Sequence, residues 1–320
     1  MPLFLTVFPN GTLSMATNLT HASQELQMLD RPRWRRATSF PYLMFAPAFL
    51  LIAGVSFVPI VYAIVQSFFR SNTLELGRYV GLRNYSDFFF TRDGIGALQN
   101  SLIFVAGTVV IAVPLGLTLA LVLSRPIPLR GPLRVVLIVP WLVSNLVGAL
   151  LWAWIGNPQY GLAPYVLDKL GVIMPNMITD PAAAMASVVI ASVWASTPLV
   201  MVFVLAALQS IPADLVEAAR IDGASSWRRF WKIIFPMIRN TTMMAVVLTS
   251  LHAFKSVEII LVMTGGGPNG ATETMATRIF HEAFTLFRIG VGSAGAIVIF
   301  VMNLMFTAAF VRVLQTEHGA

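Results

Sequence analysis

An all-α membrane protein with six transmembrane helices is what this sequence predicts, and three observations predict it. Only 11% of its 320 residues are charged while 57% are hydrophobic, with a mean hydropathy of +0.78. Soluble domains average about 25% charged residues, so a surface this poor in charge cannot face water all round. Six stretches are long and apolar enough to cross a hydrocarbon core, which takes about 20 residues of helix. Finally, the cations fall unevenly between alternate loops.

The six stretches are 40–69, 101–123, 135–154, 182–208, 241–263 and 289–311. The first is long and holds Pro47 and Pro59, which predicts a kink or an interfacial portion. Pro114, Pro140 and Pro198 are expected to interrupt the second, third and fourth. Membrane helices tolerate such breaks where neighbours or a cavity satisfy the freed carbonyls.

Orientation follows from Lys and Arg. With the N-terminus in the cytoplasm, the inner segments hold 13 of the 21 cations: Arg31, Arg33, Arg35 and Arg36; Arg125, Arg130 and Arg134; Arg220, Arg228, Arg229, Lys232 and Arg239; and Arg312. The outer segments hold seven, and Lys255 lies within a span. The bias predicts that both termini are cytoplasmic. Residues 1–39 are then a cytoplasmic N-terminal extension, partly disordered, 40–312 the six-helix domain, and 313–320 a short cytoplasmic tail. Residues 1–30 contain no Lys or Arg, so they lack the basic region of a cleaved signal, and Met15 and Met28 are alternative starts. Cysteine is absent, which excludes disulfides and thiolate metal sites.

The long inner loop, 209–240, is the most informative polar segment. Pro212 suits a first helical turn, Asp214 and Glu217 bring negative charge near a helix N-terminus, and Ala218 and Ala219 favour helix. Gly223 supplies a stop, and Ser225 or Ser226 can cap a second helix. Trp227, Phe230, Trp231 and Ile234 recur at helical spacing as one apolar stripe, and Pro236 is expected to end that helix. A loop lying on the membrane surface would account for the stripe and its cations. It does not account for a small-residue helix followed by a glycine turn, which lets another protein approach the backbone closely.

Glu217-Ala218-Ala219, Gly223 six residues after the Glu, Ile233 and Pro236 resemble the EAA loop of ABC importer permeases, with Phe235 where that family usually has Leu. Asp222-Gly223-Ala224 is the form common in its sugar branch. Trp194, Pro198, Leu208-Gln209, Ile211-Pro212 and Asn157-Pro158-Gln159-Tyr160-Gly161 resemble the same permeases, and the stretch from Phe254-Lys255 to Thr264-Gly265-Gly266-Gly267-Pro268 resembles the maltose- and trehalose-type branch. The resemblance implies a type I importer permease fold in a bacterial inner membrane, with the loop seated in a groove of a separate ATPase. Glu217 would reach a basic residue of that ATPase and Gly223 would shape the turn. It further implies a second, related permease, two ATPase subunits that bind ATP and Mg, and an extracytoplasmic binding protein. The implied cargo is a di- or oligosaccharide such as trehalose or maltose, with sugar alcohols and glycerol phosphates as alternatives.

The chain itself is not expected to be an enzyme. It has no Gly-x-x-x-x-Gly-Lys-Ser/Thr run, and Gly265–Gly270 reads as a turn-former without a Lys. His281-Glu282 lacks the second histidine of a zinc helix, because position 285 is Thr. No cofactor or metal is expected in this chain.

Charges inside spans need a reason, because each costs about 2.5–3.5 kcal/mol on insertion scales. His252, Lys255 and Glu258 share one side of a continuous fifth helix, with Lys255 and Glu258 close enough to pair. They form either a structural ion pair or a polar strip along a translocation path. Asn145, beside Ser144 and between Trp141 and Trp152, offers an amide next to aromatic faces, which suits a sugar. Trp152 and Trp154 are expected in an interfacial belt. Trp141 and Trp194 suit packing or ligand contact equally, and Thr249, Ser250 and Ser256 either line a cavity or mediate helix packing. An ion-driven secondary transporter would also use broken helices and buried charges, but it does not predict the Glu-Ala-Ala hairpin. A membrane-embedded enzyme would need a nucleophile–base pair or a metal cluster, for which the sequence offers little.

Overall fold

A computed structural model describes residues 39–72, 75–173 and 175–316. Most of the expected N-terminal extension and the last four residues of the tail lie outside the described residues. In chain order the elements are α1 (Ser39–Ser67), β1 (Phe69–Arg70), β2 (Arg78–Tyr79), α2 (Arg83–Phe89), α3 (Arg92–Ser124), α4 (Arg130–Leu142), α5 (Asn145–Ile155), α6 (Leu162–Lys169), α7 (Pro181–Gln209) and α8 (Ala213–Ile221). They continue with α9 (Ser226–Phe254), α10 (Glu258–Met263), α11 (Met275–Phe280), which runs into a wide turn at His281–Thr285, and α12 (Ile289–Thr316). The fold is therefore mostly helical rather than purely so. A two-residue antiparallel ladder pairs Phe69 with Tyr79 and Arg70 with Arg78. That ladder is too short to leave a periodic signal.

Among the described residues, five helices are long and apolar enough to cross a membrane, and α4 with α5 makes a sixth candidate if the pair is one crossing. The chain divides into two compact units at Ile60. In the first, residues 44–60 of α1 carry large exposed apolar side chains, among them Phe45, Phe49, Leu50 and Val55. The second unit, from Val61, holds the packed bundle.

Its centre is the α3–α7 pair. A Cβ on Gly116 would lie 2.7 Å from the Val200 Cβ and 3.0 Å from the Met201 nitrogen, and one on Gly107 would lie 3.2 Å from Val189. Ala112 and Ala120 flank Gly116 at four-residue spacing and are fully buried. Small residues let backbones approach, and the close contact that follows is what holds helices together in lipid. Val188, Val200, Met201 and Val204 of α7 fill the facing side. Helix α7 starts sharply because the Asp180 carboxylate accepts from the Ala182 and Ala183 N–H groups, with Pro181 in the first turn. At the other end of α3, Arg134 donates to the Leu123 carbonyl.

Three sequence expectations are corrected. Pro114 and Pro198 do not interrupt α3 and α7, which run through them. A long packed helix survives the loss of one backbone bond when its neighbours hold it on both sides. The third stretch, by contrast, is interrupted as Pro140 predicts. Val143 and Ser144 are extended, with ψ near 135° and 138°, and the axis turns by 98° between α4 and α5. Pro140 starts the break by withholding an N–H from the preceding turn. The fifth stretch also breaks, because α9 ends at Phe254 and α10 begins at Glu258.

Candidate functional site

The 209–240 hairpin makes the helix, glycine turn and capped second helix that its sequence expects. Helix α8 is closed by a Schellman motif, in which the Ala224 N–H bonds to the Ala219 carbonyl at 3.0 Å and the Gly223 N–H to the Arg220 carbonyl at 3.1 Å. Gly223 has φ +75°, and a side chain there would meet nothing within 4 Å. The requirement for glycine is therefore conformational, worth roughly 1–2 kcal/mol for an L-residue in this region. Ser225 is the capping serine, accepting from the Arg228 N–H, and Arg229 ties the turn by donating to the Ala224 carbonyl at 2.8 Å.

Glu217, Ala218 and Asp222 are exposed, Ala219 and Ala224 half-buried. Glu217 has no hydrogen bond or ion pair among the described residues. Leu215 and Ile221 of the same short helix are exposed, Ile221 at 81%. The hairpin thus presents an unpaired carboxylate beside uncovered apolar side chains. The sequence reading did not single out Leu215 and Ile221. Apolar residues on a nine-residue helix inside a polar loop were the available signal.

Pro236 does not end the second helix. The chain widens to a π-helical turn over Phe230–Ile234, where the Phe235 N–H bonds back to Phe230, and α9 continues to Phe254. The widened turn leaves room for a proline ring and for the carbonyl it cannot serve. The hairpin is therefore continuous with a 29-residue membrane helix. Trp227, Phe230, Trp231 and Ile234 line one open groove of about 600 Å³, with Leu117 and Leu121 of α3 opposite. Trp231 stands edge-on to Trp227 and Phe230, at 5.5 and 5.0 Å between centroids. Ile233 is half-buried on the same helix.

The residues expected along a path are dispersed. Asn145 opens α5 and, with Trp152 and Trp194, lines a crevice of only about 10 Å³, room for roughly one water. Trp152, expected in an interfacial belt, is half-buried within the bundle. It packs edge-on against Trp194 at 6.1 Å, with its indole nitrogen buried, because the bend at Val143–Ser144 turns α5 inward onto α7. Trp141 is exposed and Trp154 lies at an outer surface hollow with Tyr160 and Tyr165. Thr249 and Ser256 are buried, and their hydroxyl oxygens lack a hydrogen-bond partner.

Lys255 and Glu258 do not form an ion pair. The helix they were expected to share ends between them, so three-residue spacing no longer places them on adjacent turns. Both are exposed, while His252 is half-buried. Two charges in an otherwise apolar stretch thus flank a helix break and face away from this chain's own core.

A charged cluster that sequence reasoning missed lies at the opposite end from the hairpin. Glu282, buried, pairs with Arg278 at 3.7 Å and Arg288 at 3.2 Å. Arg278 also donates to the Thr91 hydroxyl and lies over the Phe88 ring at 5.4 Å. The i,i+4 spacing of Arg278 and Glu282 was its one local signal. The neighbouring Gly265–Gly270 stretch is a compact turn, with left-handed backbone at Gly265, Gly266, Asn269 and Gly270. Thr264 and Thr272 hydroxyls bond across it at 2.7 Å, and Asn100 of α3 donates to the Gly270 and Glu273 carbonyls. Burial raises the Glu273 carboxyl above its ordinary value, and Arg278 opposes the shift. Among the described residues no group of three His, Cys, Asp or Glu could hold a metal.

Apolar helices of this length around small-residue contacts define a polytopic membrane protein, with a polar hairpin joined to one of the helices. Residues 112–315 match the family described as binding-protein-dependent transport system inner membrane component. The chain is 35% identical over 279 residues to the trehalose/maltose transport system permease protein MalF of Thermococcus litoralis, covering 87% of this chain and 94% of that protein. It is 34% identical to the sn-glycerol-3-phosphate transport system permease protein UgpA of Agrobacterium fabrum, covering 86% and 94%, and 31% identical to the sulfoquinovosyl glycerol transport system permease protein SmoG of the same organism, covering 89% and 95%. In fold it matches a chain of a bacterial alginate ABC transporter, crystallised with an alginate pentasaccharide-bound periplasmic protein, at a TM-score of 0.75 and 20% identity, covering 87% of this chain and 95% of that one. The chain belongs to the family of inner membrane permease components of binding-protein-dependent transport systems, and it has the ABC permease fold.

Proposed function

We propose that this chain is one of two related membrane-spanning permeases of an ATP-driven importer for a di- or oligosaccharide of the trehalose or maltose class. The single observation that carries the coupling half of this reading is the exposed, Schellman-closed hairpin with an unpaired Glu217, rigidly continuous with a membrane helix. Two copies of a separate ATPase, holding ATP and Mg, would seat α8 in a groove. Glu217 would meet a basic residue there, with Ala218, Ala219, Asp222, Gly223 and Ala224 forming the contact and Ile233 and Pro236 the start of the lever. An extracytoplasmic binding protein would deliver the cargo. With α4 and α5 together as the third of six crossings, both termini would lie on one side, and the cation bias supports the cytoplasm.

ATP-driven closure of the ATPases would pull the hairpin and tilt α9. The break at Lys255–Val257 lies at its far end, where Lys255 and Glu258 would face the path or the second permease, with His252, Asn145, Trp194, Thr249 and Ser256 as further candidates. Exposed charges in a span do not face lipid. The substrate class is supported by the named relatives. Glycerol phosphates are the second reading, because two of those relatives transport phosphorylated or sulfonated glycerol compounds by name.

Glu217→Lys and Gly223→Val should each abolish sugar uptake and ATPase stimulation together in proteoliposomes, while the permease still folds. Stimulation that survives both substitutions would overturn the lever. Uptake that follows an ion gradient and ignores ATP would favour a secondary transporter instead.

A further inference from the structure

Three guanidinium groups converge where nothing yet assigns them a partner. Arg70, Arg83 and Arg288 line a cleft of about 210 Å³ with Asp87, Asn84 and Gly290. Among the described residues no carboxylate lies within ion-pairing distance of Arg70 or Arg83, and Asp87, one turn along α2 from Arg83, does not pair with it. Only Arg288 has an acidic partner, Glu282. Arg70 also stands directly opposite Arg78 in the β1–β2 ladder. Like charges facing each other across a ladder are destabilising, so the fold bears a cost to keep this positive charge here.

The walls are fixed. The buried Asn84 amide donates to the Ser67 and Phe69 carbonyls at 2.8 and 2.9 Å, which pins β1 against α2. The Gly290 N–H donates to the Ser71 carbonyl. A Cβ on Gly290 would lie 2.1 Å from the Phe69 carbonyl oxygen, so the start of α12 is pressed onto the same strand. The cleft therefore sits where the end of α1 and the beginning of α12, two apolar membrane helices, meet polar chain. Helix ends of this kind are where a chain leaves the hydrocarbon and meets headgroups. Arginine forks match the paired oxygens of a phosphate, and two of these three exposed forks have no carboxylate partner among the described residues.

We propose that Arg70, Arg83 and Arg288 form an oxyanion site for a phosphate group, carried by an anionic phospholipid headgroup or by a soluble phosphate ester. The position between two membrane helices favours the lipid. Assignment of this end to the outer leaflet rests on the topology proposed above, whereas the site itself does not. Bound phosphate would relieve the Arg70–Arg78 repulsion and brace β1 against α12.

The test uses the assembled transporter in nanodiscs of phosphatidylcholine alone or with phosphatidylglycerol, read by native mass spectrometry and thermal unfolding. Wild type should retain phosphatidylglycerol selectively and melt higher in its presence. Arg70→Gln/Arg83→Gln should lose that retention by roughly tenfold or more, tenfold being the low end for a single charge-assisted hydrogen bond, and Arg83→Lys should keep part of it. Inorganic phosphate and glycerol 3-phosphate titrated onto phosphatidylcholine discs test the soluble source. A melting shift there that the double substitution removes would support the site with a soluble ligand. A double variant indistinguishable from wild type with every probe would overturn the proposal. Should that variant fail to assemble, high salt applied to wild type decides, since retention that ignores salt would overturn it equally. Co-purification of the ATPase is scored on the same samples. Its absence counts against the importer reading, whereas wild type that retains no probe selectively counts only against this site.

Discussion

Glu282 sits between two guanidiniums, and deleting its carboxylate leaves buried Arg278 with Glu273, 3.9 Å away, as its remaining carboxylate contact. Unpairing a buried ion pair costs about 3–5 kcal/mol. Arg288 is half-exposed and can turn to water, so the lower end applies. Glu282→Ala should lower stability by about 3 kcal/mol and depress the melting temperature in detergent. An unchanged melting curve would show that the triad is ornamental. Glu273 makes a pH prediction. Burial raises its carboxyl above 4.5, so the folded protein holds that proton more tightly than the unfolded chain does. The associated stability is present below 4.5 and is lost as pH rises through the raised value. Glu273→Gln should flatten the fall in melting temperature over that window. An equal slope in the variant would place the pH dependence elsewhere.

At the scale of elements, α3 is the reference piece. Its small residues decide how closely α7 approaches. Gly116→Leu would drive a side chain into Val200 and the Met201 backbone, and overpacking of this kind costs about 1–3 kcal/mol. Gly96→Leu lies on the same helix with nothing within 4 Å and should be tolerated. Comparing monodispersity and melting of the two variants checks the claim, and equal behaviour would sink it. The stripe Ala112-x₃-Gly116-x₃-Ala120 was open to sequence reading, because the spacing alone marks a close helix contact in lipid. The breaks at Val143–Ser144 and Lys255–Val257 were harder. Proline announces the first only ambiguously, since Pro114 and Pro198 in similar settings break nothing. No proline or glycine marks the second.

For the whole molecule, the chain's lack of cysteine makes orientation directly measurable. Ser225→Cys should react with impermeant maleimide only from the cytoplasmic side, and Asn269→Cys only from outside. The reverse pattern would invert the topology and remove the hairpin from any cytosolic ATPase. Hydropathy, the helix–glycine–helix order of the hairpin and the serine cap at Ser225 were all set by the sequence alone. These are local quantities: transfer energies summed over a window, and backbone preferences of single residues. Tertiary structure decided the rest. It turned α5 inward so that Trp152 meets Trp194, carried α9 through Pro236, and separated Lys255 from Glu258. It also brought Arg288 to one cleft with Arg70 and Arg83, more than 200 residues earlier in the chain. Each of these depends on which surfaces meet in space, and such packing leaves no period in a single chain.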